Sequence, residues 1–224
     1  MLRGRLAIKI SVLIVAVLVV GFGASTIWTV QREAELLVEQ NKMAARRLTA
    51  TLVASIEGAM LQERPDVTRT VLQELKTSTP VEGLTIFRRN GVEAFTDLTT
   101  AMEVDRNAGL AKDVLDNIKR MAREPGQTAS GPQFLRAVET LTTQESLETH
   151  EGATFFTLHY PIVNQEKCQG CHGSDHKVRA VVRVDTSMAP VLAEVRSHRN
   201  RQFLVGGLTI LAGTVVLTVA MRRV

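Results

Sequence analysis

Two long apolar segments stand out in the hydropathy pattern of the 224-residue sequence, one near each end. Residues 10–30 form a run of 21 without a charged side chain, and residues 203–221 form a second run of 19. A helix of about 20 apolar residues can cross a bilayer core of about 30 Å. Basic residues flank both runs, as on the cytoplasmic side of membrane helices: Arg3, Arg5, Lys9, Arg222 and Arg223. The pattern predicts two membrane spans with both termini in the cytoplasm.

A cleaved signal peptide is the alternative for the first run, because it also begins with basic residues. Signal peptides have a shorter apolar region and a small-residue cleavage site, which this sequence lacks, so we expect an uncleaved anchor. The resulting division is 1–31 for a tail and the first span, 32–202 for a domain outside the cytoplasm, and 203–224 for the second span and a short tail. We therefore expect a two-pass protein of the inner membrane.

The segment after the first run has the pattern of a continuing helix. Residues 32–62 are rich in Ala, Leu, Glu, Arg and Gln and contain no proline. Apolar positions recur at helical spacing: Leu37, Ala44, Leu48, Leu52, Ile56 and Met60. Pro65 marks the predicted end, because a proline disfavours helical conformation at the residue before it.

A second, shorter helix is predicted to begin at Asp66, a residue type suited to capping a helix. A break at 77–80 is predicted to end it. Its expected buried side consists of four apolar residues: Val67, Val71, Leu72 and Leu75. Residues 108–123 predict a further helix, with an apolar face at helical spacing: Leu110, Val114, Ile118 and Met121.

Strand-like segments occur twice in the remaining sequence. Residues 84–87 and 92–96 flank an Asn-Gly pair, which is the strongest short-range signal for a β-hairpin. Residues 153–162 and 178–184 form a later pair of β-prone runs, which we expect to be hydrogen-bonded to each other. Residues 127–152 show no clear periodicity. A final helix, capped by Thr186 or Ser187, leads into the second apolar run. The pattern predicts an α+β domain between two membrane helices.

Charge and motif content narrow the functional classes. All 23 acidic residues and 22 of the 27 basic residues lie between the apolar runs, so this region carries about −1 and the net charge of +4 comes from the tails. No basic stripe interleaved with aromatic side chains is present, and we expect no nucleic-acid partner. The sequence also lacks a nucleophile elbow and a phosphate-binding glycine loop, and we expect a protein that is not an enzyme.

The two cysteines of the chain lie in the motif C-Q-G-C-H at residues 168–172, within a polar segment predicted to be a loop. This spacing is the pattern for covalent attachment of a c-type haem. Cys168 and Cys171 would reach the two vinyl groups on one edge of the porphyrin, and His172 would meet the iron from the proximal side. Because c-type haem is attached outside the cytoplasm, the motif agrees with the predicted topology and places the domain in the periplasm.

Two other interpretations of the motif compete with haem attachment. A thioredoxin-like redox disulfide also uses a C-x-x-C pair, but it is expected in a βαβ setting and needs no following histidine. A small zinc site formed by Cys168, Cys171, His172 and His176 is disfavoured because adjacent side chains are poorly placed to bind one tetrahedral ion. Covalent haem is the favoured prediction.

Further motifs extend the similarity beyond the cysteines: Ala-Met at 59–60, V-E-G-L-T-I-F at 81–87, Y-P-I-V-N at 160–164 and V-R-V-D-T-S at 182–187. With these motifs the chain, over about 30–220, resembles the periplasmic c-type haem sensor domains, PAS- or Cache-like, of bacterial chemoreceptors and sensor histidine kinases. The resemblance implies an antiparallel sheet of five or six strands with flanking helices, one covalent haem, and dimerisation through the long helices.

The resemblance also implies a function. Such a domain would sense redox state or a gas such as NO, CO or O2 and signal through its transmembrane helices. Those receptors continue into a cytoplasmic signalling module, whereas this sequence stops at Val224, so we expect a separate signalling or redox partner. The alternative is an electron-transfer cytochrome c subunit of a larger membrane complex.

The sixth iron ligand stays open among several residues. The resemblance favours Met60, near the end of the long helix, although a methionine there also suits a purely structural place in the core. The other candidates are His150, His159, His176, Met102 and Met121. Arg179 and Arg183 are candidates for pairing with the haem propionates, and solvent-facing strand positions are their alternative.

Overall fold

The structure is a computed structural model that describes residues 2–78, 81–150 and 152–223. In chain order the elements are α1 (Leu2–Leu61), α2 (Pro65–Ser78), β1 (Val81–Arg88), α3 (Thr99–Ala108), α4 (Lys112–Met121), α5 (Pro132–Thr140), β2 (Gln144–His150), β3 (Ala153–Val163), α6 (Glu166–His172), β4 (Val178–Ser187) and α7 (Ala189–Arg223). The predicted α+β class, with a long N-terminal helix, is confirmed.

The chain divides into two units. The first consists of α1 up to Asn41 together with α7 from Pro190. Both helices contain a stretch that is long and apolar enough to cross a membrane, and none of that stretch is buried within the structure. Inside this unit, Gln202 Nε2 donates a hydrogen bond to Glu33 Oε2 at 2.9 Å. The two helices are therefore candidate transmembrane spans, as the apolar runs predict.

The second unit, Lys42–Ala189, contains one antiparallel sheet in the order β1-β4-β3-β2. β3 and β4 pair directly, with Tyr160 opposite Val182, so the predicted hairpin around the cysteine motif is confirmed. β1 pairs with the other side of β4 and places Ile86 opposite Val182. β2 pairs with β3 and arises from the stretch in which the sequence shows no periodicity.

The described residues form four strands, fewer than the five or six that the resemblance implies. The predicted strand over 92–96 is wrong, because this segment makes only two isolated bridges, Phe87–Glu93 and Val92–Thr128. Two backbone hydrogen bonds flank the first bridge, from Arg88 N to Val92 O at 2.8 Å and from Ala94 N to Ile86 O at 2.7 Å. β1 is consequently an edge strand of the sheet.

The predicted Asn-Gly turn is nevertheless present. Gly91 N donates to Arg88 O at 2.8 Å, and Gly91 O accepts a hydrogen bond from Ala129 N at 2.8 Å. Gly91 has φ +83°, and a Cβ atom there would lie 2.1 Å from the Ala129 carbonyl oxygen. Only glycine fits this position, both for its backbone conformation and for the close approach of the 127–129 segment.

One face of the sheet packs against α1. Leu52, Val53 and Ile56 are buried there, and Leu48 and Met60 are partly buried against the same cluster. Each fully buried aliphatic side chain of this kind contributes about 1.5–3 kcal/mol. The sequence pattern is wrong at Ala44. This residue is exposed, and the adjacent residue, Ala45, is the buried one on this turn of the helix. Thr49 is buried as well.

The buried side predicted for α2 is wrong at two of its positions, although Leu72 packs against the core as predicted. Val67 and Val71 are 39% and 36% exposed, whereas Asp66 is 6% exposed. The Asp66 carboxylate binds Arg64 at 2.9 Å and accepts a hydrogen bond from Asn117 Nδ2 at 3.3 Å, and these partners turn the polar side of the helix inward. The helix begins at Pro65, one residue before the prediction. The side chain of Leu75 and part of the predicted break, residues 79–80, lie outside the described residues.

The helix predicted over 108–123 corresponds to α4, which is shorter at both ends, and the sequence pattern does not predict the helix α3 before it. α3 ends at Ala108, where Gly109 adopts φ +76°, and α4 begins at Lys112. Val114 of the predicted apolar face is buried, as expected.

On the opposite face of the sheet, α5 buries Phe134 against Phe87, with ring centroids 6.1 Å apart. The start of α7 agrees with the prediction, since Ser187 Oγ accepts a hydrogen bond from Ala189 N at 3.3 Å.

Candidate functional site

A cavity of about 350 Å³ lies in the unit Lys42–Ala189. The end of α1, helices α2, α3, α4 and α6, and strands β1, β3 and β4 all contribute to its wall. Most lining side chains are apolar, among them Ile56, Ile86, Phe95, Val104, Ile118 and Ile162. Its volume falls in the range of about 300–1,000 Å³ that is usual for sites that bind small molecules and cofactors.

The cysteine motif lies on this cavity. Cys168, Cys171 and His172 all line it, and both cysteines are half-buried free thiols. The predicted loop is wrong: these residues belong to α6, a short helix that ends at Gly173 with φ +71°. Residues three and four apart lie on one face of a helix, so the helical conformation aims all three motif side chains at the same space.

His172 is held as a neutral imidazole. Its Nδ1 accepts a hydrogen bond from Arg179 Nη2 at 2.7 Å. Burial, together with the charges of Arg179 and His176, lowers the pKa of His172 to about 4. A neutral histidine has a lone pair for a metal ion, and the position of its proton depends on the partner of the other ring nitrogen.

Arg179 links His172 to a second histidine. Its Nη1 donates to Nε2 of His176, whose Nδ1 donates to Asp175 Oδ1. Burial lowers the pKa of Arg179, although the charge of Glu103 opposes the shift. His176 is thus engaged on both ring nitrogens, which disfavours it as the sixth iron ligand.

Asn164 holds the end of the motif segment. This residue is 6% exposed, and its Nδ2 donates to Gly173 O and to His176 O, both at 2.9 Å. A second amide, Asn107 Nδ2, donates to Cys171 O at 2.9 Å from an exposed position. Reasoning from sequence did not assign a role to either asparagine, although Asn164 closes the Y-P-I-V-N motif on which the resemblance partly rests.

We expect Asn164→Ala to lower the yield of covalently attached haem while the sheet stays folded. The substitution leaves two carbonyl groups of the motif segment without their donor, which costs about 1–3 kcal/mol and loosens the segment that carries Cys171 and His172. The measurement is haem absorbance per mole of purified protein, with circular dichroism as the check on folding. Asn107→Ala is the matched control, because it removes one exposed hydrogen bond. Equal haem yields in the two variants would contradict the role of Asn164.

The cavity separates the candidates for the sixth ligand. Met60 and Met121 line it, whereas Met102 is 41% exposed and does not. His150 is on β2, where its Nε2 contacts Glu148. His159 is buried in the sheet opposite Arg183, outside the cavity lining, and burial lowers its pKa. The structure therefore brings together the three motif residues, the predicted Met60, and one of the weaker candidates.

The two arginines proposed for propionate pairing differ in position. Arg179 lines the cavity. Arg183 lies outside it and makes ion pairs with Glu148 at 3.2 Å and with Asp185 at 3.0 Å. These carboxylates neutralise Arg183 within the sheet, so it is a structural residue and Arg179 remains as the candidate.

The chemistry of the site fits a c-type haem. Two thiols and a neutral imidazole converge on one side of an apolar space, and thioether methionines are part of the wall. Within residues 2–78, 81–150 and 152–223, no group of three or more His, Cys, Asp or Glu side chains is arranged to hold a metal ion, so the zinc alternative gains no support.

Comparison with known proteins identifies one matching family. Residues 92–189 are similar to the family described as "Methyl-accepting chemotaxis sensory transducer, class 40H, sensor". The matched segment runs from the end of the Asn-Gly turn to the first residue of α7 and contains the whole cysteine motif, whereas Met60 lies before it. Together with the two candidate transmembrane helices, this similarity supports a membrane sensor with a sensing domain of the chemoreceptor type.

Proposed function

We propose that the chain is a membrane-anchored c-type haem sensor that responds to redox state or to a gas such as NO, CO or O2. Cys168 and Cys171 hold one haem covalently, His172 is the proximal ligand, and Met60 is the sixth ligand. The observation that carries the proposal is that these four side chains line one cavity. The haem domain lies in the periplasm. The chain acts as a homodimer or as a subunit of a membrane complex, and its transmembrane helices pass the signal to a separate partner.

Each residue has a defined part in this proposal. A bound haem supplies a one-electron redox couple and, where the sixth position opens, a site for a diatomic gas. The two thiols would add across the haem vinyl groups to form thioether bonds that hold the porphyrin edge against α6, and His172 would contribute its neutral imidazole. The apolar side chains around the cavity exclude water, which favours a firm thioether contact from Met60. The proposal is one of binding and sensing, and it assigns no catalysed reaction.

Arg179 must change its partner when haem is attached. A histidine that binds iron through Nε2 carries its proton on Nδ1 and donates from there. In the structure, Nδ1 of His172 instead accepts from Arg179. Two donors cannot face each other, so Arg179 would have to leave His172 if this imidazole held a haem iron. The guanidinium then becomes available to a carboxylate, in agreement with its candidacy for a haem propionate.

Electron transfer is the second candidate function, and the placement of Met60 favours it too. A methionine and a histidine together form a firm pair of axial ligands that raises the reduction potential, as in electron-carrying cytochromes. A carrier and a redox sensor share this ligation. They differ in whether a change of iron state alters the conformation of the protein.

The deciding experiment is the absorption spectrum of the full chain, produced with haem-attachment machinery and reduced with dithionite, with and without CO. We expect covalent haem with a low-spin ferrous spectrum. A shift with CO assigns gas binding; a spectrum indifferent to CO assigns redox sensing or electron transfer. Hydrogen exchange of the oxidised and reduced protein then separates these two, since only a sensor should change its protection. Protein without any haem spectrum would overturn the proposal.

A further inference from the structure

Two of the four basic side chains on the cavity wall are neutralised by acidic side chains of the same wall, and the exposed side chain of Glu63 lies on that wall as well. Four basic residues line the cavity: Arg69, Arg88, Lys167 and Arg179. Arg88 Nη2 pairs with Asp97 Oδ2 at 2.6 Å, and Lys167 Nζ pairs with Glu57 Oε2 at 2.9 Å. Both acids also line the cavity, so these two pairs leave no net charge for a ligand.

Arg69, on α2, has no such partner. It is half-buried, and within the described part of the chain no hydrogen bond or ion pair is made by its guanidinium. Burial lowers its pKa, and the charge of Arg123 acts in the same direction. Glu93 attracts it, but that carboxylate is bound by Arg123 Nη2 at 3.2 Å and by Gly126 N at 2.9 Å. Arg69 therefore bears the cost of partial desolvation without a direct counter-charge.

The acid closest to Arg69 in the helix is also committed elsewhere. Asp66, three residues earlier, lines the cavity, but both its carboxylate oxygens bind Arg64 at 2.9 Å. Asn117 adds a third hydrogen bond to the same group. The pKa of Asp66 is lowered chiefly by the Arg64 hydrogen bond. Two parallel hydrogen bonds form the strongest pairing of a guanidinium with a carboxylate. Asp66 is therefore not available to pair with Arg69.

We propose that Arg69 binds a carboxylate group of the molecule that occupies the cavity. A half-buried guanidinium on the wall of a binding cavity is stabilised when an anionic group of the ligand pairs with it. The planar guanidinium can donate two parallel hydrogen bonds to the two oxygens of a carboxylate. The charge balance around the cavity is independent of the cysteine motif. The identity of the ligand rests on the proposed function: in a haem, the carboxylate is a propionate, and the second propionate would then fall to Arg179.

The test uses the full chain with covalent haem, because the thioether bonds keep the haem in place whether or not a propionate is paired. We expect Arg69→Gln to retain haem but to lower the reduction potential, since a positive charge near the iron disfavours the oxidised state. We also expect the potential of this variant to depend on pH in the range where a propionate titrates. The wild-type potential should be nearly constant there, because Arg69 keeps the propionate ionised.

Arg106→Gln is the matched control, since Arg106 is an exposed α3 residue outside the cavity lining and its loss changes the net charge equally. If Arg69→Gln does not fold, Arg69→Lys is measured instead. We expect the pH dependence of its reduction potential to lie between that of the wild type and that expected for Arg69→Gln. If haem is attached but the Arg69 variant titrates like the Arg106 variant, the proposal for Arg69 is overturned. Wild-type protein without covalent haem overturns the proposed function, and the propionate assignment with it.

Discussion

Replacing Cys168 and Cys171 together with alanine is expected to abolish covalent haem in the full chain. The two thiols are half-buried on one face of α6, and the chain has no other cysteine that could replace them. Without thioether bonds, the haem is held only by His172, by a methionine and by apolar contacts, and it is extracted under denaturing conditions. Haem staining after denaturing electrophoresis, together with the intact mass, measures the loss, which we expect to be complete.

The control for this variant lies between the cysteines. Gln169→Ala changes a residue of the same helix that contributes no thiol, and we expect it to attach haem at the wild-type level. Each single cysteine variant should retain one thioether bond and a lower yield. Covalent haem in the double variant would mean that another group of the chain forms the bond, and the site assignment would be wrong.

We expect Met60→Ala to leave the haem attached and to change the spectrum of the reduced protein from low-spin to high-spin. The side chain lines the cavity from the end of α1, and in the proposed ligation its removal would open the sixth coordination position. We expect the variant to bind CO rapidly and to have a lower reduction potential, because axial ligands set haem potentials over about 0.8 V. As Met60 is partly buried against the core, the substitution also costs about 1–2 kcal/mol of stability, less than for a fully buried methionine.

Two other methionines make this experiment decisive. Met121 also lines the cavity, whereas Met102 is exposed outside it. We expect Met121→Ala and Met102→Ala to keep the low-spin reduced spectrum. An unchanged spectrum in Met60→Ala combined with a high-spin spectrum in Met121→Ala would transfer the ligand role to α4. Unchanged spectra in all three variants would exclude methionine as the sixth ligand.

Local sequence signals predicted the elements whose stability is local. The uncharged run 10–30, the proline at the end of α1, and the β-prone runs on both sides of the cysteine motif all correspond to elements of the structure. The motif residues and Met60 were identified as site candidates from spacing and resemblance, and the structure places them on one cavity. These features depend on neighbours a few residues away, or on a motif with one dominant chemical interpretation.

The features that sequence reasoning missed depend on distant partners. Val67 and Val71 suggest an apolar buried face, but the side chains of Arg64 and Asn117 hold Asp66 inward instead. Likewise, the segment after the Asn-Gly turn has strand-like residues, yet only isolated bridges form. Within the described residues Arg69 has no hydrogen-bonded carboxylate, and this depends on the partners of several distant acids, which no sequence pattern reveals.

The position of the cysteine motif between β3 and β4 restricts the mechanics of any signal. β4 is a central strand, bonded along one side to β1 and along the other to β3, and it ends at Ser187, just before α7 begins. Sliding β4 along its own axis by one residue would break the hydrogen bonds to both β1 and β3. It would also move every side chain of the strand to the opposite face of the sheet. A tilt or twist of the sheet keeps every ladder bond. A force that originates at His172 would therefore reach the end of β4 at Ser187 as a rotation rather than as a translation.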